Sequence, residues 1–453
     1  MSTLAPAHDL QFAEFIEELK RKNPHEPEFL QAVREVATYI LPFIAAHPKY
    51  QGKSILQQLT EPDRIVQFRV TWLDDSGRVN VNRGFRVQFN NTIGPYKGGL
   101  RFHPSVNQSI LKFLAFEQIF KNSLTGLPLG GGKGGSDFDP KGKSDEEVMR
   151  FCQSFMLELA RHVGPHTDVP AGDIGVGQRE VGFLFGMYRK LRNEHTGVIT
   201  GKGIAYGGSK LRPEATGYGL LFFVAEMLKE VNDTVAGKRV IISGAGNVAQ
   251  YAAEKTLQMG GHVHALSDSK GTVYAKDGID EDMLADVMHL KNVERGSLKT
   301  FAEKYKLIYL PGERPWSIPC DIALPCATQN ELEEKDADAL IKNGCKLVAE
   351  GANMPCTEKA ISLFQESSVR YAPGKASNAG GVATSGLEMT QNYAGFFWTE
   401  SEVEQRLREI MVRIHQTCLD YGKGEDGHVD YVKGANIGGF VKVADAIIEQ
   451  GIL

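Results

Sequence analysis

An α/β protein of two domains is the fold class this sequence predicts, and three observations predict it. Near the middle, the apolar run Val240, Ile241, Ile242 ends at Gly244 and passes into a helix-type pattern through Tyr251, Ala252, Ala253 and Leu257. Downstream, short apolar runs at 263–266, 322–324, 346–349 and 369–371 alternate with helical stretches, the rhythm of a doubly wound sheet. Upstream, Val66, Phe68, Val70 and Trp72 alternate with Gln67, Arg69 and Thr71, and Phe85, Val87 and Phe89 with Arg86, Gln88 and Asn90. That is a sheet of its own, with hairpin character around the turn at 74–77. The first two observations give a Rossmann-type dinucleotide domain. The third gives a separate α/β domain with a mixed sheet.

Bulk properties narrow the function classes. At 453 residues the chain is too long for one ordinary core. A net charge of −5 argues against nucleic acid or an anionic membrane as the main partner, so an anionic ligand must be drawn in by a local lysine cluster. Cys152, Cys320, Cys326, Cys345, Cys356 and Cys418 form no C-x-x-C pair and read as reduced thiols of a cytoplasmic protein. His162 and His166 are four apart, but Gly164 and Pro165 break the helix that a metal-binding pair would need, so no metal is expected. The N-terminus lacks the pattern of a signal peptide, and the apolar run 220–225 is too short to cross a bilayer.

Taken in order, residues 10–46 carry helical spacing interrupted by Pro24 and Pro27. After the first sheet, a loop at 93–101 places Lys97 beside two glycines. A helix from about Val106 to Leu124 then sets Gln118 and Lys121 on neighbouring positions of one face. A second loop, 127–135, sets Lys133 among five glycines; it lacks the Ser or Thr and the spacing of a phosphate P-loop. So many glycines imply close approach by a ligand, and Lys97, Lys121 and Lys133 together suggest an anion site. Ser144 and Glu147 form a capping box opening a helix through Leu159. The glycine-rich loop 168–177 follows, carrying Asp168 and Asp173, the latter equally readable as a turn-forming side chain. Residues 201–212 read as a hinge, 378–385 as a glycine loop opening a helix, 402–421 as a long helix and 442–448 as a last one.

In the middle unit, Gly244, Gly246 and Ala249 make the variant G-x-G-x-x-A. The first glycine permits the turn, the second lets a pyrophosphate approach the backbone, and free N–H groups of Asn247 and Val248 at the helix start receive the phosphates. Asp268, at the end of the next strand, lies at the distance of a ribose-reading acid.

P-Y-K-G-G-L-R-F at 95–102, L-P-L-G-G-G-K-G-G at 127–135, V-P-A-G-D-I-G at 169–175 and R-P-E-A-T-G-Y-G at 212–219 resemble the hexameric glutamate dehydrogenases. P-C-A-T-Q-N at 325–330, E-G-A-N-M-P at 350–355 and N-A-G-G-V at 378–382 match as well, so the resemblance covers essentially the whole chain. It implies that Lys133 is the catalytic lysine activating water and that Asp173 moves protons to and from the amino nitrogen. It further implies Lys121 and Gln118 on the substrate α-carboxylate, Lys97 and Ser385 on the γ-carboxylate, and Gly172, Asn378 and Val382 lining the pocket. Thr216, Asn247 and Asn353 would contact the nicotinamide cofactor. Asp268 alone would suggest NAD, but Ser269 follows it and Lys291 lies in the next helical segment; in the NADP-using members the matching serine and lysine hold the 2′-phosphate.

The expectation is therefore NADP-dependent, reversible deamination of glutamate to 2-oxoglutarate and ammonium, run towards glutamate, by a homohexamer. A leucine or phenylalanine dehydrogenase would share Lys133 and Asp173 but needs an apolar pocket. A silent dinucleotide-binding regulatory oligomer would have no reason to keep those two residues. The domains are expected at 1–205, joined by a returning helix at 430–453, and at 206–429.

Overall fold

The computed structural model of the chain describes residues 5–425 and 427–451, with side chains from residue 10 onward. The described residues fall into two compact units. One runs up to Lys210 and includes Val382–Val403 and the stretch from Asn436; the other comprises Leu211–Gly381 and Glu404–Ala435. The expected span 206–429 thus differs from the observed unit, because residues 382–403 pack elsewhere. Val382 and Met389 lie against Leu127, Leu129 and Val169, and Gln391 donates to the Ser209 hydroxyl at 2.9 Å.

The first unit is built on a five-stranded sheet of β1 (Arg64–Leu73), β2 (Val79–Asn90), β3 (Tyr96–Phe102), β4 (Gly131–Ser136) and β5 (Asp168–Ala171), in the order β1-β2-β4-β3-β5. It is mixed: β1, β2 and β4 pair antiparallel, while β3 runs parallel to both β4 and β5. Helices Pro27–Ala46 and Gln108–Leu124 cover one face, where Phe29 meets Phe89 at 6.1 Å and Phe116 at 5.8 Å. Helices Asp145–Leu159 and Gln178–Arg192 cover the other, with Phe155 against Phe68 and Phe102 at 5.1 and 5.2 Å. Helix Pro27–Ala46 is long and apolar enough to cross a membrane by length and composition, but Phe29, Val33, Val36 and Ile40 are spent on this core.

Two segments expected as glycine loops are strands. Lys97 lies in β3 and Lys133 in β4, the sheet's central strand, and β5 takes the start of the third glycine-rich stretch. The glycines serve strand packing: a Cβ at Gly98 would sit 1.6 Å from the Gly132 carbonyl oxygen, and one at Gly131 2.5 Å from Ile119. The expected glycine loop 378–385 is helical from Gly380, inside helix Gly380–Ala394, and the last helix is longer than expected, Tyr431–Gln450.

The second unit carries a seven-stranded sheet of β6 (Arg239–Ser243), β7 (His262–Asp268), β8 (Gly271–Ile279), β9 (Ile308–Pro311), β10 (Ile322–Pro325), β11 (Leu347–Ala349) and β12 (Arg370–Ala372). Their order is β12-β11-β10-β6-β7-β8-β9. The five from β12 to β7 are parallel, and β8 and β9 extend the edge antiparallel, an addition the apolar runs did not announce. After β6 the chain first winds to β7 and later returns to β10 on the other side. The C-terminal ends of β6 and β10 therefore form the switch point where such sheets bind ligands.

Close approach predicts two opposite outcomes. Gly98→Ala must push backbone apart and should cost about 3 kcal/mol, read as a lowered thermal midpoint or loss of soluble protein. Gly186→Ala lies in helix Gln178–Arg192 with nothing within 4 Å of the added methyl, and should raise stability by up to about 1 kcal/mol.

Candidate active site

In a strand, alternate residues share a face. Lys97, Gly99 and Arg101 therefore project from the same face of β3, and pairing of Leu100 with Gly134 sets Gly99 beside Lys133 on β4. Gly99 leaves room for what lies over it: an added Cβ would be 2.9 Å from the Asp173 Cβ. Just beyond β5, the chain turns tightly, the Val176 N–H donating to the Asp173 carbonyl at 2.8 Å. That turn is made by backbone groups. The Asp173 carboxylate is used instead on two cations: Oδ2 lies 3.0 Å from Lys133 Nζ and accepts from Arg101 Nε at 2.8 Å. The turn-forming reading of its side chain gives way to an ionic one.

One carboxylate cannot neutralise two cations, and this decides the charge states. Burial pulls the Lys133 ammonium below the ordinary lysine value of 10.5; Asp173 opposes the shift, whereas Arg101 and Arg86 add to it. Burial would raise the Asp173 carboxyl, but Lys133 and Arg101 outweigh it and hold it well below the usual carboxylate range. The pair is a fixed anion beside a lysine inclined to give up its proton.

Helix Gln108–Leu124 presses directly on β4 at Gly131, two residues before Lys133. The same helix carries Gln118 and Lys121. Gln118 donates to Asn122 at 2.6 Å, and the buried Asn122 amide donates to the carbonyls of Lys97 (3.1 Å) and Gly130, fixing β3 and the lead into β4. The Lys97 ammonium is buried, donating to Thr200 Oγ1 at 2.8 Å. Ser385 is buried on helix Gly380–Ala394, where Glu388, one turn on, pairs with Lys202 at 2.7 Å. Lys97, Gln118, Lys121, Lys133, Gly172, Asp173, Val382 and Ser385 thus all belong to the first unit, whereas Asn378 belongs to the second.

Sequence reading missed Arg101, Asn122, Thr200 and the Lys202–Glu388 pair. The signal for Arg101 was present: once 96–102 is taken as a strand, period two puts it on the face of Lys97. The others form contacts between segments distant in sequence, which no local pattern carries.

In the second unit, the backbone at Gly244 has φ +89, a left-handed conformation that favours glycine, and its N–H donates to Ser267 Oγ at 3.0 Å. Gly246 is exposed at the mouth of helix Asn247–Gln258, and a Cβ there would meet nothing within 4 Å. This open cradle above free helix N–H groups fits a pyrophosphate. The buried Glu331 carboxylate clamps the two strand ends around it, accepting from Ser243 Oγ at 2.8 Å and Ala327 N at 3.0 Å. Glu350, at the end of β11, is pushed up to about 7 by burial, against hydrogen bonds from Tyr371 and the Gly374 and Cys356 N–H groups. It seats the segment bearing Asn353 and Asn378; Asn378 Nδ2 donates to Ala352 O at 2.8 Å, and its buried Oδ1 has no hydrogen-bond partner among the described residues. Thr216 opens helix Ala215–Lys229, and Val248 lies in the first turn of its own helix. Asp268 and Lys291 meet at 3.2 Å beside the exposed Ser269.

The chain belongs to the Glutamate/Leucine/Phenylalanine/Valine dehydrogenase family: that description matches residues 207–451, and the family's dimerisation domain matches residues 62–190. It is 59% identical to the NADP-specific glutamate dehydrogenase of Salmonella typhimurium, over 97% of this chain and 98% of that one. It is 58% identical to a glutamate dehydrogenase of Bacteroides thetaiotaomicron, over 97% and 99%. Among solved structures, the glutamate dehydrogenase of Plasmodium falciparum superposes with a TM-score of 0.96 at 51% identity, covering 100% of this chain and 97% of that one.

The open space at Gly246 separates binding from folding. Gly246→Ala should leave the thermal midpoint unchanged within about 2 °C. It should weaken dinucleotide binding about tenfold or more, because the methyl fills the space that fits the phosphates; a melting curve checks the first half, and titration of coenzyme against protein fluorescence the second.

Proposed function

We propose that the chain catalyses the reversible oxidative deamination of L-glutamate to 2-oxoglutarate and ammonium with NADP, and runs it towards glutamate in ammonium assimilation. The observation that carries this reading is a buried Lys133 held 3.0 Å from Asp173, its ammonium pulled below the ordinary lysine value by burial. The relatives named as NADP-specific glutamate dehydrogenases supply the substrate and the coenzyme.

Lys121 and Gln118 hold the α-carboxylate, and Lys97 with Ser385 holds the γ-carboxylate. Gly172 and Val382 line the substrate, and on the second unit Asn378 keeps a buried acceptor open. Bound NADP supplies the hydride acceptor for substrate Cα. Gly244, Gly246, Asn247 and Val248 would receive its pyrophosphate, Thr216 and Asn353 its nicotinamide half, and Ser269 and Lys291 its 2′-phosphate. As water adds to the imine carbon, neutral Lys133 takes its proton. Asp173 takes a proton from that lysine, passes it to the departing nitrogen and returns to its anion, whose charge favours the cationic form of the lysine.

Self-association is part of the proposal. β1 is an edge strand, and Leu73, Val79 and Val81 on its hairpin with β2 are exposed apolar residues in the segment matching the dimerisation domain. A homohexamer would cover them. The six cysteines are buried free thiols, which supports residence in the reducing cytoplasm.

Initial rates decide the reaction. NADPH oxidation should be fast with 2-oxoglutarate and ammonium, slow with NADH, and negligible with 4-methyl-2-oxopentanoate; no turnover with either acid would remove the proposal. Lys133→Ala should lower kcat at least about 100-fold.

The pH dependence has a definite sign. Activity in glutamate oxidation needs neutral Lys133, so kcat/KM should rise with pH, with a midpoint below 10.5. Arg101→Met removes a cation that depresses the lysine and leaves Asp173 to Lys133 alone, so the rise should move to higher pH. A midpoint unmoved or lowered in that variant would show that Arg101 does not set the charge of the lysine.

A further inference from the structure

An acid at the end of the second strand of a dinucleotide fold ordinarily accepts from the ribose 2′-hydroxyl and repels a 2′-phosphate. Asp268 occupies that place, yet its carboxylate is already engaged. Oδ1 accepts from the Lys270 N–H at 2.9 Å, and Oδ2 accepts from the Leu298 N–H at 2.9 Å and from Lys291 Nζ at 3.2 Å. A carboxylate offers about four lone-pair sites, so three protein donors leave it little to give a ribose. Its side chain is only 10% exposed.

Lys291 is held just as definitely. It sits in the last turn of helix Glu281–Asn292, and its ammonium donates to Asp268 and, at 2.8 Å, to the Gly296 carbonyl. The loop that presents this carbonyl is drawn tight, the Gly296 N–H donating back to Leu290 O at 2.9 Å, and a Cβ on Gly296 would meet Leu290 at 2.3 Å. Two of the three donors of the ammonium are thereby fixed, and the third remains for a ligand. Ser269, next to Asp268, is exposed.

We propose that Asp268 is a positioning residue for coenzyme choice: it ties the end of β7 to Lys291 and to the start of helix Leu298–Tyr305, and so presents the lysine, beside Ser269, to a 2′-phosphate. This rests on the NADP reading above. Electrostatics agree with the geometry. Burial would raise the Asp268 carboxyl, but the N–H groups of Leu298 and Lys270 and the Lys291 ammonium outweigh it and keep it ionised. The acid is thus matched by its own lysine before any phosphate arrives, and Lys270 adds a second cation beside Ser269. The same residue type that selects NAD when it faces the ribose here serves the opposite choice.

The test uses the full-length protein and two fragments of the coenzyme's adenosine half, adenosine 2′,5′-bisphosphate and adenosine 5′-monophosphate, titrated by calorimetry. The wild type should prefer the bisphosphate. Lys291→Met should reduce that preference about tenfold or more, the size of a lost charge-assisted hydrogen bond. Asp268→Asn should reduce it by a similar factor, and the double variant should be no worse than Lys291→Met alone, since the two residues act as one unit. Because the readout is a ratio of two affinities, a general loss of stability does not imitate it. An Asp268→Asn protein that binds the bisphosphate as well as or better than wild type, while losing affinity for the monophosphate, makes Asp268 a ribose reader and overturns the proposal. Additive losses in the double variant overturn it too. A wild type that does not discriminate the fragments removes the NADP reading and this proposal with it.

Discussion

The ion pair between Arg86 and Asp168 is the constraint on which the first unit depends. Both side chains are fully buried. Arg86 on β2 donates through Nε to Asp168 Oδ2 at 2.9 Å and through a terminal nitrogen to the Gly98 carbonyl on β3 at 3.0 Å, while Gln88 adds a further 2.9 Å bond to Asp168. One guanidinium thereby fixes β2, β3 and β5 together. Such a pair stabilises little against a well-packed apolar alternative, but losing one partner strands a buried charge at a cost of about 3–5 kcal/mol. What it secures is register.

Register matters because the sheet has two unlike faces. Gly98, Gly132 and Gly134 make the bed in which Arg86 lies; a Cβ at Gly134 would be 3.0 Å from its Cδ. The opposite face bears Lys97, Arg101 and Lys133, and a slip of one residue would exchange the two sets. The glycines that look like flexible loop in the sequence are the reason these strands can approach closely enough to hold a lysine, an arginine and an aspartate within a few ångströms. Rigidity, not mobility, is their contribution, and it is what keeps one carboxylate shared between two cations.

The dinucleotide unit uses buried carboxylates in the same manner. Glu331 joins the ends of β6 and β10, Glu350 joins the end of β11 to the segment after β12, and Asp268 joins the end of β7 to the helices beyond it. Each accepts from backbone N–H groups that loops and helix starts leave unpaired. Loops leave the C-terminal ends of these strands, and these acids give the loops fixed positions.

The sequence by itself determined the two-unit α/β class, the glycine turn after β6, the lysine and aspartate that the fold brings together, and the full run of motifs that place the chain in its family. These are local features: period-two and helical patterning, and residues whose chemistry is unusual for their neighbourhood. Tertiary structure alone decided that the glycine-rich segments around Lys97 and Lys133 are core strands, since glycine carries no propensity for a strand and only the packing of Gly98 on Gly132 and of Gly131 on Ile119 requires it. It likewise decided that Arg101 shares Asp173 with Lys133, that residues 382–403 belong to the first unit, and that Asp268 is bonded to Lys291 and Leu298. Each of these depends on which distant segments share a burial. Burial and pairing between distant segments set both the pKa of a lysine and the partners of a carboxylate, and neither is written in the residues beside them.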